Sequence, residues 1–432
     1  MAQRETDAPG SLTGDLVRSA LVVIAVGAAV GSACAFFLWS LERVTGLRWE
    51  HPWLLDALPL AGLVVGALYQ AFGARAEAGN DLLMDEIHEP GAGIPKRMAP
   101  LVLLGTLLTH LCGGSAGREG TAVQMGGSIA SFAARRVAGW SRLEARTLLL
   151  AGIAAGFGGV FGTPLAGALF AMEVPAIGAL SWAGAVPCLL ASVAADLACS
   201  AWGIRHTPYR ALLGAAEEGG HAFSWTLLAK IALAGVACGL ASRGFSALAH
   251  GLQRAFRAAI RWPWLRPVAG GLAVIALVAL VGSRDFLGLG VSAPDPGAVT
   301  IESAFREGGA HAWSWLWKML FTAVTLGSGF KGGEVTPLFY IGATFGHVLA
   351  GLLAAPVTLL AATGLVAVFA GATNTPLACT LMAVELFGPG DTLFFATACL
   401  LAYVCSGHSG IYARQRGGAR KPLRRFWPGA AP

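Results

Sequence analysis

The chain has 432 residues, 55% of them hydrophobic and only 12% charged, with a mean hydropathy of +0.64. A soluble domain carries roughly 25% charged residues, so this composition excludes a soluble enzyme or scaffold and reads as an all-α integral membrane protein. The net charge of +6 gathers near the C-terminus, in Arg414, Arg416, Arg420, Lys421, Arg424 and Arg425. A short basic tail beside an apolar segment sets topology, with the tail in the cytoplasm, and gives no reason to expect nucleic acid as a partner.

In chain order, the residues before Leu16 are polar and show no cleavable signal, so the apolar run 19–41 is expected to stay as a helix. Further apolar runs at 58–72, 98–112, 176–202, 225–241, 267–281 and 354–372 approach or exceed the roughly 20 residues of a spanning helix. With 59 glycines and 21 prolines, many helices should be broken. A membrane tolerates that only where the freed backbone is buried in protein or lines a wet cavity. Asp85, Glu86, His88 and Glu89 have metal-ligand chemistry but no ligand spacing, and read as a solvated loop or the start of a helix. The polar stretch 203–221, with Arg205, His206, Arg210, Glu217 and Glu218, reads as a connector. None of the eight cysteines forms a CxxC pair, and most, such as Cys34, Cys188, Cys238 and Cys399, fall in apolar runs. They read as small core residues, so no metal and no cofactor are expected.

Two motifs recur at nearly one offset. Gly117-Arg118-Glu119-Gly120-Thr121, running on to Gly127, returns as Gly332-Gly333-Glu334-Val335-Thr336, running on to Gly342, with Glu119 and Glu334 215 positions apart. Gly162-Thr163-Pro164-Leu165-Ala166, followed by Glu173, returns as Asn374-Thr375-Pro376-Leu377-Ala378, followed by Glu385, at an offset of 212. The single transmembrane domain, 1–432, is therefore expected to hold a duplicated unit: 15–205 and 224–412, joined by 206–223, with the tail at 413–432. The repeat by itself does not say whether the halves are parallel or inverted. Transporters built this way place their site at the repeat interface, where interrupted helices point their N-termini at an anion. Thr-Pro at 163–164 and 375–376 is helix-start chemistry, a capping residue followed by proline at the first helical position.

These motifs resemble those of the CLC family of chloride channels and proton-coupled anion exchangers. Gly117-Arg118-Glu119-Gly120 is similar to the family's GREGP segment, which bears the gating glutamate, and Gly332 to Pro337 falls on its GxFxP segment. The resemblance runs from about Leu16 to Tyr412. It implies two inverted-topology helical repeats with broken helices, a homodimer, and an anion site at the midplane. Several departures point to one branch. Thr121 replaces the proline after GREG, Val335 stands where chloride-selective relatives carry an aromatic and is preceded by Glu334 in place of an apolar residue, and Val174 replaces the internal proton-transfer glutamate. The combination resembles the bacterial fluoride/proton antiporter branch. The family's central serine has two candidate positions. Gly91-Ala92-Gly93-Ile94-Pro95 matches by spelling, but only 27 positions separate Ala92 from Glu119, too few for a membrane helix and a loop. Asn80, 39 positions before Glu119, is the preferred placement.

The resemblance therefore implies gating and proton transfer by Glu119 and Glu334, and an anion path touched by Asn80, Gly117, Arg118, Gly120, Thr121, Val335, Thr336 and Tyr412. For Glu334 a salt bridge with Lys331 is the alternative role, and for Thr336 a helix cap before Pro337. Glu173 and Glu385 read as a symmetric structural pair. The expected function is export of fluoride from the bacterial cytoplasm across the inner membrane, driven by protons. Fluoride, protons and membrane lipid are the expected partners, and the protein is a secondary transporter, not an enzyme. A chloride/proton exchanger or passive chloride channel on the same fold is the closest rival. An acid/base enzyme built on Glu119 and Glu334 would need a nucleophile or metal cluster nearby, and the sequence offers none.

Overall fold

The computed structural model describes residues 9–137, 143–213, 219–418 and 421. The connector residues Glu217 and Glu218 and the tail residues Arg420, Arg424 and Arg425 lie outside this set. The chain begins with α1 (Pro9–Glu50), α2 (Leu58–Phe72), α3 (Asn80–His88) and α4 (Met98–Leu111). Next come α5 (Glu119–Val137), α6 (Ala145–Phe161), α7 (Pro164–Glu173) and α8 (Ala185–Ala201). The same order then returns, without a counterpart of α3: α9 (Trp225–Ala259), α10 (Arg266–Val281), α11 (Ser314–Gly327), α12 (Val335–Leu353), α13 (Val357–Thr373), α14 (Pro376–Phe387) and α15 (Thr392–Cys405). Six of the described helices are long and apolar enough to cross a membrane. The apolar runs mark α2, α4, α10 and α13 closely. The run 176–202 is helical only from Ala185, and α9 continues eighteen residues past the expected end at Ala241, to Ala259.

The two halves are inverted. Helix α5 ends on the face of the tail, where the Arg135 guanidinium donates to Ile94 O at 3.3 Å. The tail reaches the same face: Arg414 N donates to Asp81, Arg416 bonds Glu89, and β1 (Ala176–Ile177) pairs in parallel with β2 (Arg416–Gly417). Helix α12 runs the other way. The residue after it, Ala354, accepts from Lys230 Nζ near the start of α9, whose far end, at Arg257, lines a cavity on the tail's face.

Helices α6 and α13 are buried along almost their whole length. Between them lies a phenylalanine cluster, with Phe157 on Phe170 at 4.4 Å, Phe161 on Phe339 at 5.2 Å and Phe339 on Phe369 at 5.5 Å between ring centroids. Each central helix stops on a left-handed residue, Gly162 (φ 70) or Asn374 (φ 61), and the next begins at a proline in its first position.

The caps of α7 and α14 depart from expectation. Neither Thr163 nor Thr375 caps its own helix with its side chain; the opposite half supplies the cap. The Glu385 carboxylate accepts from Leu165 N at 2.9 Å and Ala166 N at 2.7 Å. Reciprocally, Glu173 accepts from Leu377 N at 3.2 Å and Ala378 N at 2.8 Å. Proline at the first position has no N–H, and the fourth N–H of each helix, on Gly167 or Cys379, bonds the threonine carbonyl. The carboxylates thus complete the donors of both helix starts, giving the symmetric glutamates the structural task their pairing suggested.

Asp85, Glu86, His88 and Glu89 are not a loop or a helix start. They lie at the C-terminal end of α3, where His88 Nε2 meets Pro175 O at 2.8 Å and Glu86 accepts from Gly91 N and Gly93 N. Among the described residues no cluster could hold a metal ion. Lys421 is buried, and its ammonium donates to Asn374, to Tyr403 O and to Ser406 where α13 and α15 end.

Candidate functional site

The two glycine-rich segments cross at the centre of the molecule. Gly117 N donates to Gly333 O at 2.6 Å and Gly333 N returns the bond to Gly117 O at 2.8 Å, an antiparallel bridge between the halves. Such an approach needs bare backbone. A Cβ on Gly333 would lie 2.6 Å from Gly120 N, and one on Gly117 would lie 2.8 Å from the Glu119 carboxylate and 2.9 Å from Gly333 O. Both residues are therefore glycine for steric reasons.

Glu119, the first residue of α5, is completely buried. Its Oε2 accepts from Thr336 N at 3.0 Å and from Arg118 N at 3.1 Å, and its Oε1 accepts from the Thr336 hydroxyl. The Arg118 Nε lies 3.6 Å from Oε1. The carboxylate therefore sits across the starts of two helices, its own α5 and α12 from the other half. Each helix start favours an anion by up to about 2 kcal/mol in partly buried geometry, and charge-assisted bonds offset the cost of burying the charge. The cradle is made mostly of N–H and O–H donors, so it suits a small acceptor-only anion as well as a carboxylate.

Gly120 marks where the remaining groups meet. A Cβ there would lie 3.0 Å from Gly333 Cα, 3.3 Å from Asn80 Nδ2 and 3.7 Å from the Glu334 carboxylate. The start of α3, at Asn80, thus joins those of α5 and α12. Asn80 is buried and its Oδ1 has no partner among the described residues, whereas Ala92 is exposed. Of the two candidate positions, Asn80 is the one that lies at the crossing. Val335 and Thr336 are buried at the start of α12. Tyr412 is buried and, with Asn80, Asp81, Tyr69, Lys331 and Glu334, lines a cavity of about 400 Å³ on the tail's face.

Two expectations change. The Thr121 hydroxyl faces away from Glu119 and pairs with Thr106 Oγ1 at 2.7 Å, so this side chain is committed to α4. Lys331 places its ammonium 3.9 Å from the centre of the Tyr69 ring, a cation–π contact in place of the considered salt bridge with Glu334. Tyr69 and Lys331 were not singled out as cavity residues by sequence reasoning. The one available signal was a lysine three positions before a membrane glutamate.

Inverted repeats, broken helices and a buried carboxylate across two helix starts define a class of membrane protein with an anion-compatible centre. The profile of the voltage gated chloride channel family matches residues 61–407. Over 400 residues the chain is 47% identical to a chloride/fluoride channel protein of Pseudomonas syringae pv. tomato, covering 91% of this chain and 85% of the relative. It is 29% identical over 409 residues to a putative chloride channel protein, ClcB-like, of Ralstonia nicotianae, covering 88% and 90%. The crystal structure of a CLC-type fluoride/proton antiporter superposes with a TM-score of 0.86 at 34% identity, over 96% of this chain and 100% of that one. A slow cyanobacterial Cl−/H+ antiporter shares the fold, with a TM-score of 0.75 at 20% identity, over 91% and 96%. The chain belongs to the voltage-gated chloride channel, or CLC, family.

Proposed function

We propose that the protein is a proton-coupled fluoride antiporter of a bacterial inner membrane, working as a homodimer and exporting fluoride as protons enter. One observation carries the reading: the Glu119 carboxylate occupies a cradle of N–H and O–H donors from Arg118 and Thr336 that would equally suit a halide. When ionised, Glu119 fills the cradle. When protonated, it loses its claim on those donors and leaves them to the anion. Proton and anion then alternate at one place, which yields exchange and not simple flow.

The duplicated halves, 15–205 and 224–412, are the bodies between which the cradle forms, 206–223 joins them, and the tail from 413 marks the cytoplasmic side. Glu334, between the cradle and the tail-side cavity, is the second proton-handling carboxylate and takes the place of the internal glutamate that Val174 replaces. Asn80 and Tyr412 contact the anion on its way through that cavity, Thr336 meets it in the cradle, and Val335 forms the apolar wall. Gly117 and Gly120 supply close-approach backbone, and Arg118 supplies positive charge. Thr121 contributes through its place in the first turn of α5 and not through its hydroxyl. The similarity to the fluoride/proton antiporter structure supports fluoride over chloride.

The test is efflux from proteoliposomes under an inward proton gradient, with fluoride and chloride compared in the same preparation. Wild type should move fluoride with protons and leave chloride largely behind, and Glu119→Gln should lose proton coupling. Equal rates for the two halides would favour the chloride reading. Unaltered coupling in Glu119→Gln would remove the gate.

A further inference from the structure

A second cavity, of about 470 Å³, lies at the opposite ends of the helices that frame the first. Tyr69 of α2 and Arg266 of α10 line the tail-side cavity, whereas Pro52, before α2, and Gly282, after α10, line this one. The sixteen residues of α10 put roughly 24 Å between the two openings.

Between this cavity and Glu119 lies a group of basic side chains. The Arg48 guanidinium, on the cavity wall, packs against Gly288, where a Cβ would lie 3.0 Å from its Nη2. Lys318 meets the same residue from behind: it is wholly buried and donates to Gly288 O at 2.8 Å and Phe286 O at 3.2 Å. His110, also buried, lies beside Arg48: its carbonyl accepts from Gly113 N at 3.2 Å, and a Cβ on Gly113 would lie 3.6 Å from Arg48 Cδ. Arg48 Nε and His110 Nδ1 are buried without a hydrogen-bond partner among the described residues, whereas Arg118 Nε faces the Glu119 carboxylate at 3.6 Å. The cavity wall itself is balanced, Arg48 and Arg284 against Asp285, which accepts from Val299 N at 3.0 Å, and Asp295, which accepts from Gly297 N at 2.9 Å; the unopposed charge lies behind the wall, at Lys318.

Clustered cations with orphaned buried nitrogens are costly, and a bound anion relieves both the repulsion and the missing bonds. An ammonium has three donors; two of those of Lys318 go to carbonyls, and the ammonium also lies 5.2 Å from the centre of the Tyr340 ring, so its third N–H is shared between that ring and an incoming anion. His110 Nε2 is 3.4 Å from Gly117 O; an anion at Nδ1 needs a hydrogen on both ring nitrogens, a form that the anion's own charge favours. We propose that Arg48, Lys318 and His110 build a second binding site for a small monovalent anion, a staging position between this cavity and Glu119. The inference rests on the reading of Glu119 as the gate of an anion path.

The test is isothermal titration of fluoride, and of chloride in parallel, into the detergent-solubilised full-length protein and monodisperse variants. Arg48→Gln and Lys318→Met should each lose one halide site per chain or weaken it at least tenfold. Arg48→Lys, which keeps the charge, should stay within threefold of wild type. Wild-type affinity and stoichiometry in both Arg48→Gln and Lys318→Met would overturn the proposal. So would an Arg48→Lys protein as impaired as Arg48→Gln, or a wild type that binds neither halide. Binding of chloride without fluoride would leave this site standing and sink the fluoride reading. The gate is tested separately, by the pH dependence of binding in Glu119→Gln, so its failure is distinguishable from failure of this site.

Discussion

Replacing Glu173 by alanine should destabilise the protein more than the symmetric change at Glu385. Glu173 is only 5% exposed and holds the N–H groups of Leu377 and Ala378. Without it, the start of α14 keeps a buried donor on Ala378 and a part-buried one on Leu377, with no acceptor for either. An unsatisfied buried donor costs about 1–3 kcal/mol; relief of the buried carboxylate's own desolvation offsets part of that, leaving a net loss of about 2–4 kcal/mol. Glu385 makes the same two bonds from a partly exposed position, where water can replace it, so about 1–2 kcal/mol is expected. A kilocalorie shifts the midpoint by roughly 2–4 °C in domains of 150–250 residues and by less in longer chains. The assay is the monodisperse fraction surviving stepwise heating in detergent. Glu173→Ala should lower the midpoint by several degrees and Glu173→Gln, which retains one acceptor oxygen, by about half as much. A Glu173→Ala protein as stable as wild type, or a larger loss in Glu385→Ala, would refute the clasp as a stabilising device.

Other outcomes follow from the same coordinates. Gly117→Ala puts a methyl group 2.8 Å from the Glu119 carboxylate and 2.9 Å from Gly333 O, so flux should fall at least tenfold even where folded protein is recovered, as paired flux and elution profiles will show. Thr336→Val removes one cradle donor and keeps the backbone N–H. In a Glu119→Gln background, where no carboxylate competes, calorimetry should show about tenfold weaker halide binding, equivalent to roughly 1.4 kcal/mol. Lys421→Met removes the ammonium that joins Asn374, Tyr403 and Ser406, and tryptic cleavage at Arg416 should become several-fold faster; an unchanged rate would show that the contact does not hold the tail.

What the sequence made legible follows from which solvent each segment faces. Helix α2 runs over 58–72 as its apolar run does, because it presents apolar side chains to lipid and is bracketed by Pro59 and Gly73. Helix α5 gave no such run. It carries Gln124, Ser128 and Ser131 among its buried residues and is enclosed by protein, so hydropathy did not mark it and the glycine-glutamate motif did. Spacing located Asn80 because a membrane helix needs a minimum number of residues between it and Glu119. The hydroxyl of Thr121 could not be placed, since its partner Thr106 is set by the rotation of α4 against α5, which no local pattern records. The symmetry of Glu173 and Glu385 announced a structural role, whereas the cross-half partners required the fold. Lys421 read as a solvated topology charge. It is buried because two helices end beside it, and helix C-termini favour a cation.

The central claim, that the Glu119 carboxylate and a halide compete for one cradle, is tested most directly by fluoride affinity as a function of pH. Where Glu119 is ionised, each added pH unit should weaken binding at the cradle about tenfold, since one proton is taken up with each anion. In Glu119→Gln that dependence should vanish and binding at alkaline pH should exceed that of wild type. A pH-independent wild type, or an unchanged slope in Glu119→Gln, would contradict the account.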